Sequence, residues 1–318
     1  MQKLGAFLIL VRWYNLVMVA LTQVLFRYCI ILPVFRTADH ALPLSNTDFF
    51  LLVLATMLIS AAGYAINDYF DLRVDRINKP NKVIVGRLIT RRTTILLHTL
   101  LNVMGVALAL YLSWKIRYWP LAFIFLAVPM ALWLYSVRFK RSFLTGNITI
   151  ALLSAMVIPL VWLVEYRAAS LQLTITSEMM QVNFFVRFYS FFAFLTSLIR
   201  EIVKDMEDYV GDKKTGCRSL AVVSGLETTR MVVMALMAFT ILMIVAYMVY
   251  LGYQGRFTIV SYFLVLVVIP FSLVFYHVSK ALGVLDFGNI QQILKLIMLA
   301  GVLSMIVQYF FIGSDAIF

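Results

Sequence analysis

A chain of 318 residues that is 63% hydrophobic and only 13% charged, with a mean hydropathy of +0.94, is excluded from the water-soluble globular class by its apolar runs of about 20 residues. Its formal charge of +12 would suggest a nucleic-acid partner in a soluble protein. Here the basic residues lie between apolar runs, as the positive-inside rule expects, and no nucleic-acid partner is expected.

The runs divide the chain into about nine candidate helices, near 6–33, 48–68, 92–113, 118–137, 147–166, 184–203, 229–251, 257–279 and 288–312, each near the length a bilayer requires. The expectation is an all-α polytopic membrane protein, one domain over residues 1–318, with about nine transmembrane helices in one bundle. The first run carries Arg12 and Asn15 and no small-residue cleavage site, so it reads as a retained span. Cys29 and Cys217 show no metal-ligand spacing and read as free thiols. Lys and Arg number about 16 in the amino-terminal segment and even-numbered loops against about 5 in the odd-numbered loops, which places the amino terminus in the cytoplasm.

The second span runs into Asn67-Asp68-Tyr-Phe-Asp71-Leu-Arg73-Val-Asp75-Arg76-Ile-Asn78-Lys79-Pro80, where charge at a membrane boundary must be compensated. If the segment stays helical, Asn67, Asp71 and Asp75 fall at i, i+4 and i+8 on one face and their oxygens converge. Converging hard oxygens suit Mg²⁺, and Mg²⁺ suits phosphate. The sixth span ends in a counterpart, Arg200-Glu201-Ile-Val-Lys204-Asp205-Met-Glu207-Asp208-Tyr-Val-Gly211-Asp212. Glu201, Asp205, Asp208 and Asp212 share a helical face there unless Gly211 ends the helix first. Two acidic faces on the computed cytoplasmic side point to two Mg²⁺ ions bridging a diphosphate, with nearby Lys and Arg neutralising its oxygens. His98 and His277 are isolated and read as packed or hydrogen-bonded.

At these segments the chain resembles the UbiA superfamily of intramembrane prenyltransferases. The family motif N-D-x-x-D-x-x-x-D is matched by Asn67, Asp68, Asp71 and Asp75, and its D-x-x-x-D by Asp208 and Asp212, with Asp205 just upstream. Asn15, Tyr135-Ser136, Lys140 and Gly146-Asn147 match further family positions, whereas Asn81 to Arg87 lacks the family's prolines at this point. The resemblance implies a helix bundle around a central cavity and a prenyl diphosphate held by Mg²⁺ between the motifs. It implies metal ligation by Asp71, Asp75, Asp208 and Asp212, with Asn67 in the catalytic set. It also implies substrate contacts from Asn15, Asp68, Lys79, Lys82, Arg87, Tyr135, Lys140, Lys204 and Asp205. The surroundings of the aspartates look most like the geranylgeranylglycerol-phosphate geranylgeranyltransferases. The implied activity is Mg²⁺-dependent polyprenyl transfer to a membrane-embedded prenylglycerol phosphate, in a bacterial or archaeal cell membrane. The alternatives are prenylation of an aromatic quinone precursor of the 4-hydroxybenzoate or 1,4-dihydroxy-2-naphthoate type and, from another class, an ion-coupled membrane transporter.

Overall fold

A segment in lipid has no water to satisfy its amides, so it closes its own hydrogen bonds as a helix. The computed structural model describes residues 2–37, 39–78, 80–170, 177–280 and 286–312. Among them the backbone is helical apart from short connections, with one isolated bridge between Val85 and Ile89. Eight helices or continuous helical stretches are long and apolar enough to cross a membrane, and a broken pair supplies a ninth if counted as one span. The all-α, polytopic expectation holds.

In chain order the α-helices are α1 (Gln2–Leu10), α2 (Trp13–Leu25), α3 (Leu32–Thr37), α4 (Asn46–Asn78), α5 (Arg91–Lys115), α6 (Pro120–Val137) and α7 (Thr145–Ala155). They continue with α8 (Val157–Ser170), α9 (Ser177–Glu207), α10 (Tyr209–Thr215), α11 (Leu220–Tyr253), α12 (Phe257–Phe263), α13 (Ile269–Lys280) and α14 (Asp286–Ile312). The backbone forms two compact units, one of Met1–Gln23, Leu42–Arg141 and Leu160–Ile175, the other of Val24–Ala41, Ser142–Pro159 and Thr176–Phe318.

In the first unit α4, α5 and α6 pack on one another. Gly105 sets the approach of α5 to α4: a Cβ there would lie 2.7 Å from Ile59 Cγ1 and 3.1 Å from the Ala55 carbonyl oxygen. Small residues at such crossings let helix backbones close in where lipid gives no hydrophobic drive. The first apolar run is not one helix, because Arg12 adopts φ +51° and separates α1 from α2. Far from that break, Lys115 pairs with Asp48 at 2.7 Å and Glu165 accepts the Leu44 amide at 3.1 Å.

The segment after α4 departs from the family pattern and has its own anchor. Gly86, at φ +81°, turns the chain so that its amide reaches the Ile89 carbonyl at 2.7 Å. Ile84, Val85 and Ile89 then bury themselves with Ala6, Leu10 and Ala65. Aliphatic side chains fix this loop where prolines would otherwise stiffen it.

The second unit is built on α9, against which α7, α11 and α14 pack. Its core includes Phe192, Ile199, Ile202 and Val203 of α9 with Val233 and Met237 of α11 and Leu294 and Ile297 of α14. Gly301 leaves no room for a Cβ beside the Phe192 ring, which fixes where α14 meets α9.

Candidate active site

The charged end of α4 remains helical because Tyr64 to Asn78 contains neither glycine nor proline to break it. The helix therefore continues ten residues past the apolar run, and the oxygens at 67, 71 and 75 fall on one face as the spacing required. Asn67 and Asp71 are buried and Asp68 and Asp75 half-buried. Asn67 Nδ2 donates to Asp71 Oδ2 at 2.6 Å. Lys140, carried on the 3₁₀ turn Phe139–Arg141 that follows α6, donates to the same carboxylate oxygen. Burial, the largest single influence, pulls the Lys140 ammonium toward neutrality, but the charge and hydrogen bond of Asp71 together with Tyr135 and Asp75 outweigh it and hold the group above the ordinary lysine range. Tyr135, in the last turn of α6, is buried five residues before that lysine.

Asp68 has a separate cation. Arg12 Nη2 donates to Asp68 Oδ1 at 2.8 Å, and the guanidinium lies over the Tyr64 ring at 5.0 Å. The residue in the uncommon left-handed conformation is therefore held by an ion pair and a cation–π contact, a pattern of strain maintained by its surroundings. Asn15 is half-buried and its amide bonds the Arg12 carbonyl at 2.8 Å, which starts α2.

The second acidic face belongs to the other unit. Glu201, beside Arg200 at 2.5 Å, is buried on α9, and Asp205 Oδ2 accepts from Asn147 Nδ2 of α7 at 2.8 Å. The helix yields at Asp208, not at Gly211, which lies inside α10. The step is small, because the Asp212 amide still bonds the Asp208 carbonyl at 3.0 Å. Asp212 is buried, Asp208 and Lys204 are half-buried, and Gly216 at φ +74° ends α10. Glu207 lies off this face and accepts from Gln291.

The structure thus joins Asn67, Asp71 and Lys140 in one constellation and Asp205 with Asn147 in another. Arg87 is exposed in the turn after α4, whereas Lys79 and the side chain of Lys82 lie outside the described residues. Two pairings escaped the sequence reading: that of Arg12 with Asp68, and that of Asn147, matched there only as a family position, with Asp205. An arginine within an apolar run had to find an anion, and that was the available signal for Arg12. His98 bonds the Ala62 carbonyl at 3.0 Å, as a packed histidine should.

The donor chemistry fits Mg²⁺. Among the described residues Asn67 Oδ1 is buried without a hydrogen-bond partner, a hard oxygen beside a carboxylate. Among the described residues no three His, Cys, Asp or Glu side chains form a ready-made metal cluster.

Comparison with known proteins bears on the family and the fold. A family model described as the UbiA prenyltransferase family matches residues 8–282. The chain is 33% identical over 165 residues to a digeranylgeranylglyceryl phosphate synthase of Pyrococcus horikoshii, a stretch covering 52% of each chain. It spans about half the length of the curated relatives it matches. A solved structure from work on digeranylgeranylglyceryl phosphate synthase in membranes shares the fold, with a TM-score of 0.63 at 22% identity over 97% of this chain and 99% of that one. A UbiA homologue from Archaeoglobus fulgidus bound to DMAPP and Mg²⁺ gives 0.53 at 18% identity over 97% and 99%.

Proposed function

The chain belongs to the UbiA prenyltransferase family, and on that premise we propose that this integral membrane protein transfers a polyprenyl group from a prenyl diphosphate to a prenylglycerol phosphate. The observation that carries the reading is the Asn67, Asp71 and Lys140 constellation, which places a buried carboxylate, an amide oxygen and a lysine ammonium at one point. The names of the relatives support the glycerol-phosphate acceptor, and the Archaeoglobus structure supports Mg²⁺ as the cofactor.

In this reading Asp71, Asp75, Asp208 and Asp212 hold the metal. When bound, Mg²⁺ supplies Lewis acidity toward the departing diphosphate. Asn67 orients Asp71 through its amide N–H. Lys140, released from Asp71, neutralises diphosphate oxygens, as do Lys204, Arg87, Lys79 and Lys82 where they reach the donor. The allylic C–O bond breaks with its electron pair leaving on the diphosphate, and an acceptor hydroxyl forms the new C–O bond and gives up its proton to an oxygen of the released diphosphate. Tyr135 shields the developing cation from water. Asn15, Asp68 and Asp205 complete the substrate-facing polar set, Asp68 through its hold on Arg12.

We read residues 1–318 as one family domain. The excess of Lys and Arg supports a cytoplasmic amino terminus and cytoplasmic acidic loops in a prokaryotic cell membrane. The test is incubation of purified protein and Mg²⁺ with labelled prenyl diphosphates and a panel of acceptors, followed by product mass. An ether-linked prenylglycerol phosphate product is expected; exclusive prenylation of 4-hydroxybenzoate or a naphthoate ring overturns the acceptor assignment.

A further inference from the structure

The carboxylates occupy one side of the α4 end, and the opposite side carries a different chemistry. At about 100° per residue, Tyr69, Arg73 and Arg76 lie roughly 140° to 200° around the helix from Asp71. They line a cavity of about 440 Å³ together with Phe70, Leu72, Gly86, Arg91 and Arg141. Four exposed arginines, from α4, the start of α5 and the turn after α6, therefore line one cavity, and the lining contains no carboxylate. Among the described residues no acidic side chain pairs with any of the four arginines. Arg91 is set over the Tyr69 ring at 4.5 Å, which fixes one fork.

Like charges gathered in a concave site repel unless an anion joins them. Arginine is the side chain whose planar fork matches a phosphate bidentately. The depth of the site in the membrane is informative as well. A helix of 33 residues is about 50 Å long and outruns a hydrocarbon core of about 30 Å, so its charged end lies at headgroup level. Half-buried Phe70 and Leu72 supply apolar surface beside the cations, and Tyr69 an amphipathic ring of the kind found at that depth.

The geometry points to a second anion site in this protein, built for the phosphate group of a membrane lipid or a soluble phosphoester and separate from the carboxylate face of α4. The site depends on arginines that take no part in the proposed transfer, so it stands or falls independently of that reaction.

The test measures binding to the full chain purified in detergent, by native mass spectrometry for lipids and calorimetry for soluble anions. The probes are phosphatidylglycerol, phosphatidylcholine with the same acyl chains, and inorganic phosphate. The proteins are the wild type, the double variant Arg73→Gln/Arg141→Gln, and a control, Arg36→Gln/Lys280→Gln, that removes two exposed charges elsewhere. The expected result is binding of phosphatidylglycerol or phosphate about tenfold weaker in the pocket variant and unchanged in the control. Preference for phosphatidylglycerol over both other probes identifies a lipid headgroup; equal capture of inorganic phosphate identifies a soluble phosphoester. Equal binding by wild type and pocket variant, or an equal loss in the control, overturns the proposal. If the double variant fails to fold, Arg76→Gln alone is expected to weaken binding about threefold, and no change there overturns it equally.

Discussion

Asn67 donates to Asp71 Oδ2 at 2.6 Å, one helical turn away, and its own carbonyl oxygen Oδ1 stays buried without a partner among the described residues. A buried amide oxygen left unpaired costs roughly 1–3 kcal/mol, and a residue that orients a carboxylate while offering a spare oxygen suits a cation site. Asn67→Ala removes both roles. Transfer is expected to fall about 10- to 100-fold, the size typical of losing a partner that orients a metal ligand. A Mg²⁺ titration checks it: the half-saturating concentration should rise, and an unchanged titration curve would remove Asn67 from the site.

Lys140 gives a pH prediction. Burial is the largest influence on its ammonium and lowers it, but Asp71, Tyr135 and Asp75 together outweigh burial and hold the group above the ordinary range. A raised pKa contributes stability that is complete below the unfolded value of about 10.4 and is lost only as pH rises through the higher folded value. Wild type and Lys140→Gln should therefore differ in thermal midpoint by the same amount from about pH 6 to pH 9. A difference that fades across that interval would mean the lysine titrates there and the ion pair has been misread.

Backbone and charge separate at Arg12. Its φ of +51° is a conformation that glycine adopts freely and other L residues at a cost of about 1–2 kcal/mol. Arg12→Ala and Arg12→Gly both lose the pair with Asp68, but only glycine relieves the backbone. Arg12→Gly should be the more stable of the two by about 1 kcal/mol, measured by thermal unfolding in detergent. Equal stability would show that the left-handed conformation carries no strain.

At the other acidic face, Asn147 neutralises nothing and only donates to Asp205 at 2.8 Å. Asn147→Asp sets a second carboxylate against the first and turns a hydrogen bond into repulsion. Transfer is expected to drop about tenfold further than in Asn147→Ala, with partial recovery as Mg²⁺ is raised. Recovery is the discriminating readout, because a merely misfolded variant would gain nothing from added metal.

Much of this site is legible in the sequence, for physical reasons. Carboxylates at i and i+4 share a helix face, and the segment from Tyr64 to Asn78 had no helix breaker. Apolar length alone set the number of spans. What could not be read depends on tertiary placement or local backbone choice. No sequence rule foretold that Arg12 would take a left-handed conformation and split the first span. Gly211 was the natural place to end α9, yet the helix yields at Asp208 and resumes at once. Arg73, Arg76, Arg91 and Arg141 come from three separate segments and line one cavity only through tertiary packing, which local sequence does not encode.

The most direct test of the central claim is Mg²⁺-dependent product formation by folded Asp71→Asn and Asp208→Asn variants, one from each acidic face, assayed by mass with a prenyl diphosphate and a prenylglycerol phosphate. Each change preserves shape while removing a charge. Each is expected to lower transfer by about 10²- to 10³-fold, the loss seen when a group that stabilises transition-state charge is removed. Near wild-type transfer by either folded variant, or wild-type transfer that survives complete chelation of divalent ions, would contradict the account.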